Sequence, residues 1–325
     1  MQRVQSLGMA IGSKFRILGV PLGLGGRRMG ANLGPAALRL AGIVQEVSKF
    51  AETTDQGDIA CADDGERGEG LGHFKQVLAA LEATRAAVSD GDGVPLILGG
   101  DHSIEMASLP VAAAQGDLGV LWIDAHADFN TPETSSSGNL HGMSLAAACG
   151  VDSGNCSEIM RSQWTELLDK IALDNAFVDP ARIAWIGLRN VDPGEVSRIG
   201  EGDPKRAVSM HEIDRFGIAA MVEHVCDYLQ REGVSRLWVS FDVDVVDPAI
   251  APGTGTKVRG GITYREAHLL AEILNERLGS SLDLAGVTVA EVNPTLDLRN
   301  SSAALCVEWV ASLLGKRILP PWPEA

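Results

Sequence analysis

Short apolar runs recur along the chain, separated by stretches whose apolar positions fall at three- and four-residue spacing. The runs over 95–98, 119–123, 183–186, 237–241 and 284–289 show almost no polar alternation, which marks strands buried on both faces of a sheet. A further strand is predicted over 15–20. Gly34-Pro35 opens a helical pattern through Ala36, Leu38, Leu40 and Val44, and helices are predicted over 74–88 and 219–231. Another starts near Thr263, where Glu266 completes a Thr-x-x-Glu capping box. Strand and helix alternating at this spacing predict an α/β fold: three layers, with helices on both faces of a central, mostly parallel sheet. No linker or internal repeat divides residues 1–325, so a single domain is expected. Irregular segments are expected at 131–139, 152–156, 192–205 and 251–261. In such sheets ligands bind beyond the carboxyl ends of the strands, so the chemistry is sought there.

Composition narrows the field. A chain of 325 residues buries enough surface for a core without disulfides or structural metals. Its 45% hydrophobic and 22% charged residues are an ordinary globular balance. Lys plus Arg is 27 against 43 Asp plus Glu, a formal charge of −16 that disfavours nucleic acid and anionic membranes as partners. No apolar run approaches the ~18 residues of a membrane span, and residues 1–14 carry no secretory h-region. Five scattered cysteines without a Cys-x-x-Cys pair read as a reduced, cytoplasmic protein.

Three predicted strands run straight into metal-ligand residues. The first ends in Gly99-Gly100-Asp101-His102, the second in Asp124-Ala125-His126-Ala127-Asp128, the third in Asp242-Val243-Asp244. Residues two apart in extended chain point the same way, so these side chains converge in pairs and triplets. Four carboxylates and two imidazoles are too many for one tetrahedral zinc, and the excess of oxygen suits manganese, with iron, cobalt or nickel as substitutes. Two ions sharing bridging carboxylates would use the full set. A lone Asp after a buried strand is commonly a cap or turn former, but three groups at one sheet edge point to a metal site. The acidic segments 63–69 and 195–203 read as solvated loops, Glu195 excepted. His73, His211, His224 and His268 read as structural or exposed.

Gly99-Gly100-Asp101-His102-Ser103, the Asp124 to Asp128 segment and Ser240-Phe241-Asp242-Val243-Asp244-Val245-Val246-Asp247-Pro248 resemble the three signatures of the ureohydrolase family of arginases, agmatinases and relatives. Asn130-Thr131-Pro132 followed by Ser137-Gly138-Asn139-Leu140-His141-Gly142, and the segment Gly187-Leu188-Arg189-Asn190-Val191-Asp192-Pro193-Gly194-Glu195, resemble the arginase branch. Gly255-Thr256, Gly260-Gly261-Ile262-Thr263 and Glu291-Val292-Asn293-Pro294 also match it. The resemblance implies an arginase-like fold and two Mn2+ per subunit. One would be held by His102, Asp124, Asp128 and Asp242, the other by Asp124, His126, Asp242 and Asp244. It implies hydrolysis of L-arginine to urea and L-ornithine by a metal-bridging hydroxide, which Asp128 hydrogen-bonds. Glu291 would pair with the guanidinium and His141 would shuttle a proton.

At the other end of the substrate, Asn130 and Ser137 would bind the α-carboxylate, with Ser135 and Asn139 nearby, and Thr256 is a further substrate-binding residue. Asp192 would bind the α-ammonium, with Glu195 assisting through water. The same resemblance implies a homo-oligomer, a trimer or hexamer, acting on a small guanidino molecule. The alternatives are a ureohydrolase for agmatine or a guanidino acid, or a metal-binding homologue without turnover. A binuclear phosphoesterase is disfavoured by motif order, and a zinc deacetylase by the four carboxylates. Thr288, Ala127, Asn190 and Met29 depart from the branch's usual residues, and none of them is an expected metal ligand.

Overall fold

The computed structural model describes residues 14–62 and 64–319. The N-terminal segment read above for a signal, Asp63 and the residues from 320 onward therefore lie outside the described part. The apolar runs form strands. In chain order these are β1 (Lys14–Val20), β2 (Glu52–Asp58), β3 (Val94–Gly99), β4 (Leu118–Ile123), β5 (Ile183–Leu188), β6 (Ala207–Ser209), β7 (Arg236–Asp242) and β8 (Asp283–Ala290). They make one eight-stranded sheet in the order β2-β1-β3-β8-β7-β4-β5-β6, and every neighbouring pair is parallel. The expectation was a mostly parallel sheet; the described one is wholly so.

Alternation along each strand sorts side chains into two cores, one per face. Leu96, Leu98, Leu121 and Ile123 join one cluster, whereas Ile97, Val120 and Trp122 join the other. Helices such as Ile218–Arg231 and Tyr264–Arg277 cover the first face, and Phe74–Ser89 and Glu105–Ala113 the second. The three layers expected from the pattern are present. Thr263 caps the helix Tyr264–Arg277 with Glu266 at its third position, as the capping box predicts.

Several elements differ from expectation for visible reasons. The helical pattern opened by Gly34 breaks at Gly42, whose φ of 95° is left-handed, and resumes as Ile43–Val47. Residues 193–199, expected to be irregular, form the helix Pro193–Ile199 because Asp192 and Glu195 cap it reciprocally. The segments 131–139, 152–156 and 251–261 are free of α-helix and strand, as expected. The edge strand β2, Glu-Thr-Thr-Asp-Gln-Gly-Asp, is largely exposed and carries no apolar signal. Arg39 pairs with Asp55 and Asp58 across that edge, so charge blunts it against further pairing.

The sheet's carboxyl edge is shaped by a close backbone crossing. Gly100 N donates to the Val20 carbonyl at 2.8 Å and Asp101 N to the Leu22 carbonyl at 2.7 Å. A Cβ on Gly100 would sit 1.7 Å from the Leu22 carbonyl oxygen. Gly100→Ala is therefore expected to cost about 2 kcal/mol or more of stability by forcing the two backbones apart. A urea titration that left the midpoint unchanged would refute this.

Candidate active site

Each ligand residue expected from sequence stands just past a central strand. His102 opens a short 3-10 turn after β3, capped by Asp101. Asp124, His126 and Asp128 follow β4, and Asp242 ends β7 with Asp244 in the next turn. Since β4 pairs with β7 through Ile123 and Phe241, and Asp242 pairs with Ala290 of β8, these residues share one row.

The side chains converge. His102 Nδ1 lies 3.1 Å from Asp124 Oδ2, 3.2 Å from Asp128 Oδ2 and 3.2 Å from Asp242 Oδ2. His126 Nδ1 lies 3.3 Å from Asp124 Oδ1 and 3.1 Å from Asp244 Oδ2. Two clusters of ligand atoms result, His102-Asp124-Asp128 and Asp124-His126-Asp244, with the atoms of each within 4.8 Å of one another. Asp124 belongs to both, one oxygen turned to each histidine. Asp242 stands with the first cluster, and its Oδ1 accepts the Asp244 N–H at 2.7 Å.

The residues fit a pair of cations. Buried His102 Nδ1 has no hydrogen-bond partner, although three carboxylates surround it. Its Nε2 is engaged by Ser240 Oγ at 2.8 Å and its ring stacks on Trp122 at 3.9 Å between centroids, so Nδ1 is left as the ligand atom. Burial and the charges of Asp244 and Asp124 push Asp242 well above the usual carboxylate range. Burial and Asp124 raise Asp128 to about 6. Burial also opposes ionisation of Asp124, but the adjacent His102 and His126 imidazoles outweigh that and hold it below the usual range. Four buried aspartates with two imidazoles are short of positive charge, which divalent cations would supply.

Residues outside the expected set hold this arrangement. Trp122 Nε1 donates to Asp124 Oδ2 at 3.0 Å. Arg189 spans to the ligand turn, donating to the carbonyls of Asp244 at 2.6 Å and Val245 at 3.0 Å. Asp101, fully buried, accepts Gly25 N at 2.8 Å and Gly26 N at 3.2 Å and so fixes the loop over the site. Asp101 lies in plain view within its motif, and Trp122 stands two residues before Asp124; Ser240 meets His102 only once the sheet is assembled, which no local pattern reports. Removing the Ser240 hydroxyl (Ser240→Ala) is expected to weaken metal affinity by about 10- to 100-fold with the fold intact. Metal titration against a competing chelator measures it, and unchanged affinity would contradict the role.

A cleft of about 170 Å³ opens beside the clusters. Asp128, His141 and Glu291 line it together with Asn130, Ser135, Ser137, Asn139, Asp192, Glu195 and Thr256, so it gathers every catalytic and substrate residue expected from sequence. Two of them, Asp128 at φ 49° and Glu291 at φ 61°, hold left-handed backbone that non-glycine residues seldom adopt. His141 Nδ1 lies 2.9 Å from Glu291 Oε1, which also accepts His102 N at 3.0 Å. Burial favours the neutral His141 ring, but Glu291 outweighs it, and Asp128 and Asp101 add to the pull that raises the imidazole to about 9.

At the far end, Asn130 Nδ2 donates to Asp192 Oδ2 at 3.0 Å while buried Asn130 Oδ1 has no partner. Glu195 accepts Phe129 N and Asp192 N, each at 2.8 Å, so both its oxygens already hold backbone in place. Thr256 Oγ1 donates to Asp244 Oδ2 at 2.7 Å, which puts Thr256 against a ligand. The hydroxyls of Ser135 and Ser137 accept Gly138 N and Asn139 N, leaving each O–H proton free to donate. Thr288 accepts from Trp238 Nε1 at 3.2 Å beneath the site, and Ala127 is buried against the second core. Of the other histidines, His224 Nε2 donates to the Lys205 carbonyl at 2.9 Å, and His268 Nδ1 bonds Ser312 Oγ at 2.8 Å. Neither is near the cleft lining.

Residues 13–315 match the Arginase family. An arginase of Bacillus subtilis is 39% identical over 314 residues, covering 93% of this chain and 98% of the relative. An arginase of Bacillus caldovelox is 38% identical over 312 residues, with the same coverage. The solved native structure of the Bacillus caldovelox arginase superposes with a TM-score of 0.81 at 37% identity, covering 94% of this chain and all of that one. With the match spanning the whole sheet and every strand end that feeds the two clusters, the chain belongs to the arginase family.

Proposed function

We propose that this protein is a manganese-dependent arginase, hydrolysing L-arginine to urea and L-ornithine. The observation that carries the reading is Asp124, whose two oxygens face two histidines in ligand clusters beside a cleft that Asn130, Ser135, Ser137, Asn139 and Asp192 also line. His102, Asp124, Asp128 and Asp242 would hold one ion, and Asp124, His126, Asp242 and Asp244 the other. When bound, two divalent cations supply Lewis acidity and an activated water at neutral pH.

The chain's own groups do the rest. Glu291 accepts the guanidinium through the oxygen not committed to His141 and His102 N, and its left-handed backbone turns it into the cleft. Asp128 accepts a hydrogen bond from the nucleophile and aligns it. His141, kept positively charged by Glu291, donates a proton to the departing ornithine nitrogen. Asp192, positioned by Glu195, takes the α-ammonium, while Asn130, Ser135, Ser137 and Asn139 present donors to the α-carboxylate. Donors left unpaired by a substrate without that carboxylate make agmatine a poor alternative.

Residues 1–325 act as one catalytic domain in this reading, and exposed Met29, Leu33, Leu40 and Leu298 offer apolar surface for a trimer or hexamer. Among the described residues no helix is long and apolar enough to cross a membrane, and all five cysteines are free, which supports a cytoplasmic setting. The test is urea release by manganese-loaded protein from L-arginine, agmatine and a guanidino acid side by side, with metal content measured on the same sample. Urea from L-arginine at about two manganese per chain supports the assignment; preference for another guanidino compound replaces the substrate, and metal without urea replaces the activity.

A further inference from the structure

The loop 135–139 offers its serines to the cleft from a rim where Ser136 and Ser137 are exposed. Within the loop, Ser135 Oγ accepts Gly138 N and Ser137 Oγ accepts Asn139 N. Further support comes from a strap distant in sequence. Arg67 donates from Nη1 to Asn139 Oδ1 at 2.8 Å and from Nη2 to the Ser137 carbonyl at 2.5 Å. Gly72 N adds a bond to the Gly138 carbonyl at 2.8 Å.

The strap is itself braced. His73 N donates to the Arg67 carbonyl at 2.8 Å. Gln163 clasps it from the helix Glu158–Ile171, accepting Leu71 N at 2.8 Å and donating to the Glu69 carbonyl at 3.1 Å. The fit around the guanidinium is close: a Cβ on Gly72 would lie 2.8 Å from Arg67 Nη1, and one on Gly138 would lie 3.2 Å from the Gly70 carbonyl. A planar fork reaching two acceptors at once fixes their mutual geometry in a way a flexible ammonium does not. With Asn139 Oδ1 held by Arg67, the amide nitrogen remains that side chain's free donor.

We propose that Arg67 is a positioning residue for substrate selectivity: it seats Ser137 and Asn139 so that their donors meet the carboxylate of a guanidino α-amino acid. Arg67 touches no reacting atom and lies outside the lining of the cleft. The inference rests on the arginine-hydrolysing reading above and deepens it.

Wild type, Arg67→Ala and Arg67→Lys are compared on L-arginine and on agmatine, with manganese content and melting temperature measured for each. Arg67→Ala is expected to raise KM for L-arginine about tenfold, the scale of one hydrogen-bonded contact to a charged group. Its kcat stays within about twofold, and metal content and agmatine kcat/KM are unchanged. Arg67→Lys recovers part of the KM, since one ammonium reaches only one acceptor at a time. An unchanged KM for L-arginine in Arg67→Ala overturns the proposal. So does a parallel loss of kcat on both substrates with loss of metal, which would make Arg67 a general prop of the fold. Wild type turning over agmatine as well as L-arginine would instead sink the carboxylate reading, and that comparison needs no variant.

Discussion

Asp124→Asn is expected to remove metal loading and urea release in a single step. Its carboxylate belongs to both ligand clusters, with Oδ2 facing His102 and Oδ1 facing His126. An amide of the same shape keeps an acceptor for Trp122 Nε1 but drops the charge that both proposed ions would need. Loss of a shared ligand withdraws several kcal/mol of charge stabilisation, so kcat/KM should fall by about 10³-fold or more. Manganese content should drop from about two per chain to below one. The measurement is elemental analysis of the desalted protein beside a urea assay, with circular dichroism to verify that the fold persists. A variant that keeps two ions, or that keeps its turnover, would mean that Asp124 does not join the clusters.

His141→Ala should separate the two properties. His141 faces the cleft from the turn Leu140–Met143, and its Nδ1 is tied to Glu291 rather than to any ligand carboxylate. Removing the imidazole should therefore leave both ligand clusters intact and take away the proposed proton donor. A positioned acid or base contributes about 10²- to 10⁴-fold, so kcat should fall within that range while manganese content stays at the wild-type level. An added small imidazole should restore part of the rate by occupying the vacated space. Loss of metal in this variant would reassign His141 as a ligand, and an unchanged kcat would take it out of the proton path.

What could be read from sequence was decided by burial. The central strands announce themselves because both faces are covered, and continuous apolar runs have no other economical use. The ligand motifs were legible because each hangs directly on the end of such a run, as Asp124 does on β4 and Asp242 on β7. The misses have the opposite cause. Strand β2 is polar and exposed on the sheet's edge, and its only structural signal is its ladder with β1. The helix Glu105–Ala113 is buried almost all round and contains Pro110, which erases the periodicity that would reveal it. Ser240 on His102 and Arg67 on Asn139 are separated from their partners by 138 and 72 residues. Contacts of that kind exist only once the strands have found their order.

That order has a bearing on how the protein comes into being. The last of the described strands, β8, lies between β3 and β7, so the sheet is two disconnected halves until residues 283–290 slot into the middle. One half carries His102 and the other carries the aspartates of β4 and β7. During synthesis every expected ligand, from His102 to Asp244, emerges before β8 does, while the two halves of the sheet are still unjoined. The keystone strand follows them, brings Glu291 with it, and ties assembly of the cleft to the arrival of residues 283–291.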